Sequence, residues 1–338
     1  MALLHAVGFE WGNDGEEGIT KSMATYYDTT IMRTGARSMR ISGVTMGGSF
    51  NYWCRLPLAT PLSEFYYQFG YRLEQMQSAA KGILAWRSGT TVLGGLRINT
   101  SNRLELYVGN FTTKAGESAT ALQPNRWYVV EVYVKIADSG GVLILRIDMN
   151  EEAAYSGDTK PGTETTVDNL LHGELYSGNS WIDDLIVHTP DGQINNSWPS
   201  GVKVVLLKPN GDGGTLQWTP NPSGTHYTTV DEVPPSDTDY LQAAEADRVD
   251  ELSLEDLPAE ALSVKGVILQ AWALKGSTVP PTRLALGLKL GGTDYYSADK
   301  DLGTSQGYIR ELWEQIPGGG NLTVAGINNA GFLLKSRE

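Results

Sequence analysis

Alternation of apolar and polar residues dominates the first half of the chain and predicts a series of short β-strands. In the clearest run, residues 65–73, a large apolar side chain stands at every odd-numbered position. Successive side chains of a strand point to opposite faces, so this run turns one apolar face towards a core. Similar runs occupy 83–86, 96–98, 103–108, 127–136 and 142–149. Turn-forming residues separate them and helical periodicity is weak before residue 190, so we predict an antiparallel β-sandwich or jelly roll.

The run 181–187, Trp-Ile-Asp-Asp-Leu-Ile-Val, has two adjacent aspartates inside an otherwise apolar strand. The period of two predicts two faces: Trp181, Asp183, Leu185 and Val187 on one, and Ile182, Asp184 and Ile186 on the other. A buried carboxylate is costly unless hydrogen-bond donors meet it. We therefore expect at least one of Asp183 and Asp184 to hold neighbouring loops in place. A metal or sugar contact is the alternative.

A segment rich in Pro, Gly, Asn and Ser, residues 191–203, divides the chain and is predicted to be a linker. A chain of 338 residues exceeds one ordinary core. We predict an N-terminal sandwich over 1–190 and a smaller β-rich sandwich over 204–338. Strands of the second domain are expected at 267–274, at the alternating leucines of 284–290, and at 322–327 and 332–334.

Charge is unevenly distributed and argues against nucleic acid as a partner. The formal net charge is −13, and residues 231–260 hold eleven carboxylates against one arginine. A phosphate backbone would be repelled by such a chain, and the acidic segment is expected to lie in solvent. The sequence has no apolar run of about 20 residues and no recognisable secretory leader. We expect neither membrane insertion nor cleavage of a signal.

Metal and thiol chemistry find little support in the sequence. The four histidines are widely separated: His5, His172, His188 and His226. None forms the short-spaced pair of a zinc motif. The single cysteine, Cys54, lacks the surroundings of a catalytic thiol, so we expect it in the core. No metal site or cofactor is predicted.

Carboxylate pairs suited to glycoside hydrolysis are also missing from the sequence pattern. A retaining glucanase needs two carboxyl groups about 5 Å apart, which on one strand requires a Glu-x-Asp-x-x-Glu-like spacing. The nearest match, Glu245 to Asp250, lies in the acidic segment and ends in the wrong residue. Glu105 and Glu131 have no such partner on their strands. The sequence predicts no catalytic residue and a protein that is not an enzyme.

Aromatic residues are the strongest indication of a binding function. The chain contains nine tryptophans and sixteen tyrosines, and exposed aromatic rings suit sugar stacking or protein interfaces. Four tryptophans fall in loop-like contexts: Trp11, Trp53, Trp198 and Trp313. Each is either an interface anchor or a residue that packs a loop, and packing is favoured.

Four motifs in order make residues 1–190 resemble the concanavalin A-like lectin/glucanase sandwich, of the laminin-G-like type, found in bacteriophage structural proteins. They are Gly-Phe-Glu at 8–10, Arg-Thr-Gly-Ala-Arg-Ser-Met-Arg at 33–40, Trp-Tyr-Val-Val-Glu-Val at 127–132, and the strand 181–187. The second half is similar to a module that accompanies this sandwich in tailed-phage virions. Its motifs include Gly-Asp-Gly at 211–213, Trp-Thr-Pro at 218–220 and Gly-Gly-Thr-Asp-Tyr at 291–295.

The resemblance implies a non-enzymatic structural component of a tailed-phage virion, as head decoration, fibre or tail-tip protein. It implies assembly into a homo-oligomer, a trimer or a ring, together with other virion proteins. Contact with host surface glycans is an added expectation. A carbohydrate-binding adhesin is the alternative, and a glycan hydrolase is a weaker one.

Overall fold

The computed structural model describes residues 2–12, 18–43 and 52–338. The chain divides by its internal contacts into two compact units, Met1–Val204 and Val205–Glu338. Residues 191–203, predicted as a linker, fall within the first unit. The physical reason is that buried side chains of the first unit bind their backbone, as described below.

The described part of the first unit is built from antiparallel strands. In chain order they are β1 Leu3–Val7, β2 Thr20–Lys21, β3 Thr25–Asp28, β4 Ser38–Ile41, β5 Trp53–Leu62, β6 Glu64–Leu73, β7 Lys81–Ser88, β8 Thr91–Ile98, β9 Arg103–Val108, β10 Thr113–Ala121, β11 Trp127–Lys135, β12 Gly141–Ile147, β13 Asn150–Gly157, β14 Val167–Gly173 and β15 Ser180–His188. Their bounds match the alternating runs of the sequence closely.

Two sheets enclose the first core. Among the described residues, an eight-stranded sheet has the order β13-β12-β11-β6-β15-β4-β3, with β1 also paired to β15. A seven-stranded sheet has the order β10-β9-β8-β7-β14-β5-β2. The alternation predicted for 65–73 is confirmed, because Phe65, Tyr67, Phe69, Tyr71 and Leu73 all lie in the core between the sheets. The predicted β-sandwich is therefore the observed fold.

One polar contact crosses this core between the two sheets. The hydroxyl of Tyr67 on β6 lies 2.7 Å from Nε2 of His172 on β14, and burial lowers the pKa of His172 to about 3. Cys54 is opposite His172 in the register and is fully buried, which confirms its predicted core position. His172 is thus a neutral structural residue at physiological pH.

The face assignment predicted for 181–187 is wrong because β15 contains a bulge. The pairing with β6 shifts register between Asp183 and Ile186, and Asp184 has a positive φ of 50°. An extra residue in one strand resets the alternation beyond it. Ile182, Leu185 and Val187 all reach the core, while both aspartates bond to groups on the outer side of the sheet.

The second unit has its own strands, a short 3-10 turn and a short helix. The strands are β16 Pro209–Leu216, β17 Thr219–Asn221, β18 Tyr240–Gln242, β19 Val249–Leu254, β20 Val267–Ala273, β21 Arg283–Leu290, β22 Thr293–Tyr296, β23 Lys300–Asp301, β24 Gly307–Trp313 and β25 Gly331–Arg337, and the helix is α1 Val324–Asn328. One sheet has the order β16-β19-β25-β21-β22, with β23 also paired to β21. The pairs β17-β18 and β20-β24 form two small sheets.

Some sequence predictions for the second unit hold and others fail. The alternation at 284–290 is confirmed, since Leu284, Leu286 and Leu288 lie in the second core. The prediction of a strand over 322–327 is wrong, because helix α1 occupies Val324–Asn328. The hydroxyl of Thr323 accepts a hydrogen bond from the Gly326 N–H at 3.0 Å, which is a helix N-cap.

The acidic segment 231–260 is only partly the solvated loop that its charge predicted. Its strand β19 pairs with β16 and β25, and Asp250 is fully buried. The Asp250 carboxylate accepts from the backbone N–H groups of Gln217 and Trp218, at 3.0 and 2.9 Å, and lies 2.8 Å from Nδ1 of His226. These donors make burial of the charge tolerable.

The fold class is all-β, as predicted, with antiparallel sheets in both units. In the part of the chain that the structure describes, no helix is long and apolar enough to span a bilayer.

Candidate functional site

The adjacent aspartates of β15 hold two segments against the outer face of the eight-stranded sheet. Oδ2 of Asp183 accepts from the backbone N–H of Arg33 at 2.9 Å. Asp184 forms an ion pair with the Arg33 guanidinium and accepts from the Thr34 hydroxyl at 2.7 Å. Its Oδ1 also accepts from the Val204 N–H at 2.6 Å. The expectation that an aspartate holds neighbouring loops is confirmed.

Residues 197–204, here called the strap, lie across this outer face. The Gly201 N–H donates to Oε1 of Gln68 at 2.8 Å, and Nε2 of Gln68 donates to the Val202 carbonyl at 2.8 Å. The Ser200 N–H donates to Oε1 of Glu131 at 2.6 Å. Gln68 and Glu131 are both fully buried, so the strap satisfies polar groups that the sheet would otherwise bury alone.

An aromatic contact secures the beginning of the strap. The Trp198 ring lies 5.1 Å from that of Tyr66 and 6.4 Å from that of Tyr133, in edge-on arrangements. The Arg146 guanidinium stands 4.5 Å from the Trp198 ring centroid, within cation–π range. Trp198 therefore packs its own segment, which is the role favoured for it from the sequence.

Burial raises the pKa values of the carboxyl groups around the strap. Desolvation, together with the adjacent Asp184 charge, raises the pKa of Asp183 to about 8. Desolvation likewise raises the pKa of Glu10 to about 7, although a hydrogen bond from the Ala36 N–H acts to lower it. Asp183 therefore binds a proton more readily than an ordinary aspartate. This region uses its donors and acceptors to hold the protein's own backbone.

The outer face of the seven-stranded sheet is built differently. Outward-facing residues of β5, β14 and β7 define a surface here called the arginine face: Arg55, Asn169, Leu171, Ala85 and Arg87. Their neighbours in sequence, including Leu56, Leu170 and Trp86, point into the core. Asn169 stands opposite Arg87 in the register, and Leu171 stands between Arg55 and Ala85. The two arginines thus flank a small apolar floor.

Two polar atoms of the arginine face are buried without a hydrogen-bond partner among the described residues. They are Nε of Arg87 and Oδ1 of Asn169, a donor and an acceptor on directly opposed positions. The Asn169 amide group is oriented by bonds from its Nδ2 to the Gly89 carbonyl, at 3.1 Å, and to the Asp168 carboxylate. Natural proteins rarely leave such groups unmatched.

Arg87 also has no ion-pair partner within the described chain, although the Asp168 carboxylate interacts with it at longer range. Neither Arg87 nor Arg55 lies within ion-pair distance of a carboxylate there, and Arg55 bonds only the Thr20 hydroxyl, at 3.1 Å. Burial, and then the nearby Arg55 charge, lower the pKa of Arg87, and the Asp168 charge acts in the opposite direction. Two guanidinium groups that repel each other on one partly buried surface favour an anion between them.

A second polar network lies farther across the same sheet, on β9 and β10. Glu105 accepts from Lys114 at 2.9 Å and from the Tyr107 hydroxyl at 3.1 Å. Burial would raise the pKa of Glu105, but hydrogen bonds from Lys114, Asn99 and Tyr107 outweigh it and lower the pKa. Unlike Arg87, this charge is neutralised within the protein.

Glycines shape the floor between the arginine face and this network. A Cβ at Gly95 or at Gly82 would lie 2.8 Å from the Phe111 ring, a distance that real side chains do not reach. Glycine is therefore required for Phe111 to lie against the sheet. The rings of Phe111 and Tyr107 meet edge to face at 5.8 Å, which places aromatic surface beside the arginine face.

No protein-family model matches the chain, and no curated protein matches it. Solved structures resemble its fold. An endo-β-1,4-glucuronan lyase from the fungus Trichoderma reesei is 15% identical, with a TM-score of 0.40, over 55% of this chain and 90% of that one. Alginate lyase Aly36B is 11% identical, with a TM-score of 0.39, over 54% and 96%. The carbohydrate-binding module CBM66 from Bacillus subtilis is 11% identical, with a TM-score of 0.35, over 52% and 99%.

These neighbours are carbohydrate-binding or carbohydrate-processing β-sandwich proteins. They contradict the prediction that the chain is not an enzyme, because structures named as a glucuronan lyase, a sialidase and an alginate lyase are among them. The prediction relied on a missing two-carboxylate spacing, and a β-sandwich can support other chemistry. At these identities the likeness concerns the fold, and no activity or residue is transferred from it.

The remaining predicted site residues are scattered. Glu105 and Glu131 lie on the outer faces of different sheets, so they form no pair. Glu245 is exposed and bonds Arg248 at 2.9 Å, whereas Asp250 is buried. Trp313 lies in the second core. Among the described residues, no group of three or more metal-ligating side chains comes together.

Arg55, Arg87 and Asn169 were missed at the sequence level. A usable signal existed, because Arg55 stands between two core residues, Cys54 and Leu56, and Arg87 follows the buried Trp86. An isolated cation inside an otherwise apolar strand must be paired, exposed or functional. What the sequence lacks is the strand order that brings the two arginines to one surface.

Proposed function

We propose that the first unit binds an acidic glycan on the arginine face. The observation that carries the proposal is the opposed pair of Arg87 and Asn169, each with a buried, unmatched polar atom, beside the second cation Arg55. The fold is one that carbohydrate-binding proteins use, which supports a sugar as the ligand.

A carboxylate or sulfate group on the sugar fits the charges of this surface. A guanidinium binds a carboxylate through two parallel N–H···O bonds. An anion between Arg55 and Arg87 would relieve the repulsion between them. The unmatched acceptor, Oδ1 of Asn169, would receive a hydroxyl hydrogen of the same sugar.

The edge of the face offers aromatic surface to a sugar ring. Leu171 and Ala85 are almost completely buried, so the ligand would contact the arginine side chains above them. Trp53 is opposite Gly173 on the same side of the sheet and is half-buried. It supplies aromatic surface at the edge of the floor, where C–H groups of a sugar can pack.

Binding is tested by titrating the full chain with a panel of oligosaccharides that contains uronates, sulfated sugars and neutral sugars. We expect the acidic members to bind and the variants Arg55→Met and Arg87→Met each to weaken binding by about tenfold or more. Arg126→Met, which removes an exposed arginine from another part of the unit, is the matched control. Absence of acidic-sugar binding by the unaltered chain, or acidic-sugar binding that is unchanged in both variants, would refute the proposal.

The same mixtures are assayed for cleavage. Elimination in a uronate chain produces an unsaturated sugar that absorbs ultraviolet light, and hydrolysis produces new reducing ends. Either product, lost in Arg87→Met and retained in Arg126→Met, would extend the proposal from binding to catalysis on this face.

Membership of a tailed-phage virion, with assembly into a homo-oligomer, stays a prediction from the sequence resemblance. Peptide mapping of purified particles and light scattering of the isolated chain test its two parts. An acidic glycan on a host surface would be a fitting ligand for such a protein.

A further inference from the structure

The small sheet of β20 and β24 presents different chemistry on its two faces. Leu269 and Trp313 on one face belong to the second core. The other face, here called the tryptophan face, consists of three cross-strand pairs: Ile268 with Leu312, Gln270 with Arg310, and Trp272 with Tyr308. These six residues are half-buried and lie outside that core cluster.

The two aromatic rings of the tryptophan face are in close, tilted contact. The ring centroids of Trp272 and Tyr308 are 4.8 Å apart, and the ring planes are inclined by 57°. Indole Nε1 of Trp272 donates to Oδ1 of Asp237 at 2.9 Å. This bond holds the indole in one orientation, which reduces the entropy lost when a ligand packs on it.

Planar polar groups stand directly beside the aromatic pair. Gln270 and Arg310 are the next outward pair along the two strands, and Nε2 of Gln270 is a buried donor without a hydrogen-bond partner among the described residues. The exposed Asp237 carboxylate lies at the edge, next to Trp272. Arg310 and Asp237 contribute charges of opposite sign to this surface, in contrast to the two arginines of the arginine face.

We propose that the tryptophan face is a second saccharide site, in the second unit, and that it takes neutral sugars. Aromatic rings pack against the C–H face of a pyranose, and amide, guanidinium and carboxylate groups bond its hydroxyls. The balance of Arg310 and Asp237 removes the preference for an anion. This site is independent of the acidic-glycan site proposed for the first unit.

The test uses the full chain and short neutral oligosaccharides of glucose, mannose and galactose at millimolar concentration. Tryptophan fluorescence and calorimetry report binding. We expect Trp272→Ala and Gln270→Ala each to weaken binding to the best neutral sugar by about tenfold. Tyr26→Ala, which removes an exposed aromatic residue of the first unit, is the control and should bind like the unaltered chain.

The two proposals are separated by testing each variant with both kinds of sugar. Trp272→Ala should still bind acidic sugars, and Arg87→Met should still bind neutral sugars. Thermal melting checks that each variant folds, and Gln270→Ala decides the matter if Trp272→Ala does not fold. Failure of the unaltered chain to bind any neutral sugar of the panel would overturn the proposal. So would unchanged binding in the folded variants.

Discussion

The strap region and the arginine face, on opposite sides of the first sandwich, treat buried polar groups differently. On the eight-stranded sheet, Gln68, Glu131 and Asp184 each bond the backbone of the strap. On the seven-stranded sheet, Arg87 and Asn169 keep a buried donor and acceptor without partners in the described chain. The strap region is completed by the protein's own backbone.

Nε of Arg40 and Nη1 of Arg72, elsewhere on the eight-stranded sheet, are also buried without a hydrogen-bond partner among the described residues, but both guanidinium groups lie over the Trp181 ring. The arginine face differs in that an unmatched donor and an unmatched acceptor stand opposite each other.

The largest effect is expected from removing the carboxylate that holds the strap. Asp184→Ala leaves the Arg33 guanidinium without its partner and frees the Val204 N–H. Breaking a buried ion pair on one side costs about 3–5 kcal/mol of unfolding free energy. Chemical denaturation measures it. Asp184→Asn retains one acceptor and should lose less unfolding free energy. Equal stability of Asp184→Ala and the unaltered chain would show that Asp184 does not hold the strap.

The second-largest effect is expected in the dependence of stability on pH. The pKa of Asp183 is about 8 in the folded protein against an ordinary value of 3.8, so the folded state binds this proton more tightly. Stability from this group is therefore greatest at acid pH and is lost as pH rises from about 4 to about 8. Glu10, with a pKa of about 7, acts in the same direction. Melting temperatures over this range should fall less steeply in Asp183→Asn, and parallel curves would contradict the assignment.

A smaller loss is expected when the aromatic anchor of the strap is removed. Trp198→Ala deletes the contacts with Tyr66, Tyr133 and Arg146, at a cost of about 1–3 kcal/mol. Hydrogen exchange should become faster at residues 200–204 and remain unchanged on β7 and β14. Uniformly faster exchange throughout the unit would mean that the strap and the sandwich unfold together.

The smallest effect on stability is expected on the arginine face. Arg87→Met keeps a long side chain but removes a partly buried charge that has no partner. We expect an unchanged unfolding free energy, within about 0.5 kcal/mol, or a small gain. A loss above about 2 kcal/mol would assign Arg87 a structural role and weaken the contrast between the two faces.

Local patterns predicted much of the fold because strand alternation depends on near neighbours. The core positions at 65–73 and at 284–288 follow from a period of two. The bulge at Asp184 could not be predicted in this way. It depends on Arg33 and Thr34, which lie about 150 residues earlier in the chain and meet the aspartates only through strand order.

The candidate site was harder to predict than the fold for the same reason. Arg55, Arg87 and Asn169 come from three separate strands, and only the order β5-β14-β7 places them on one surface. The adjacent aspartates form a recognisable sequence motif, yet the groups that donate hydrogen bonds to them belong to the protein itself. A search for unmatched cations in apolar strands would have led to the arginines instead.

The central claim is that Arg87 recognises a negative charge on the ligand. It is tested most directly by titrating the best-binding acidic oligosaccharide, and its neutral methyl ester if the acid is a uronate, into the unaltered chain and into Arg87→Met. A desulfated form replaces the ester for a sulfated sugar. We predict that the unaltered chain prefers the acid by about tenfold, equivalent to about 1.4 kcal/mol, and that the preference disappears in Arg87→Met. An acid preference that survives in the variant, or is absent from the unaltered chain, would contradict the account.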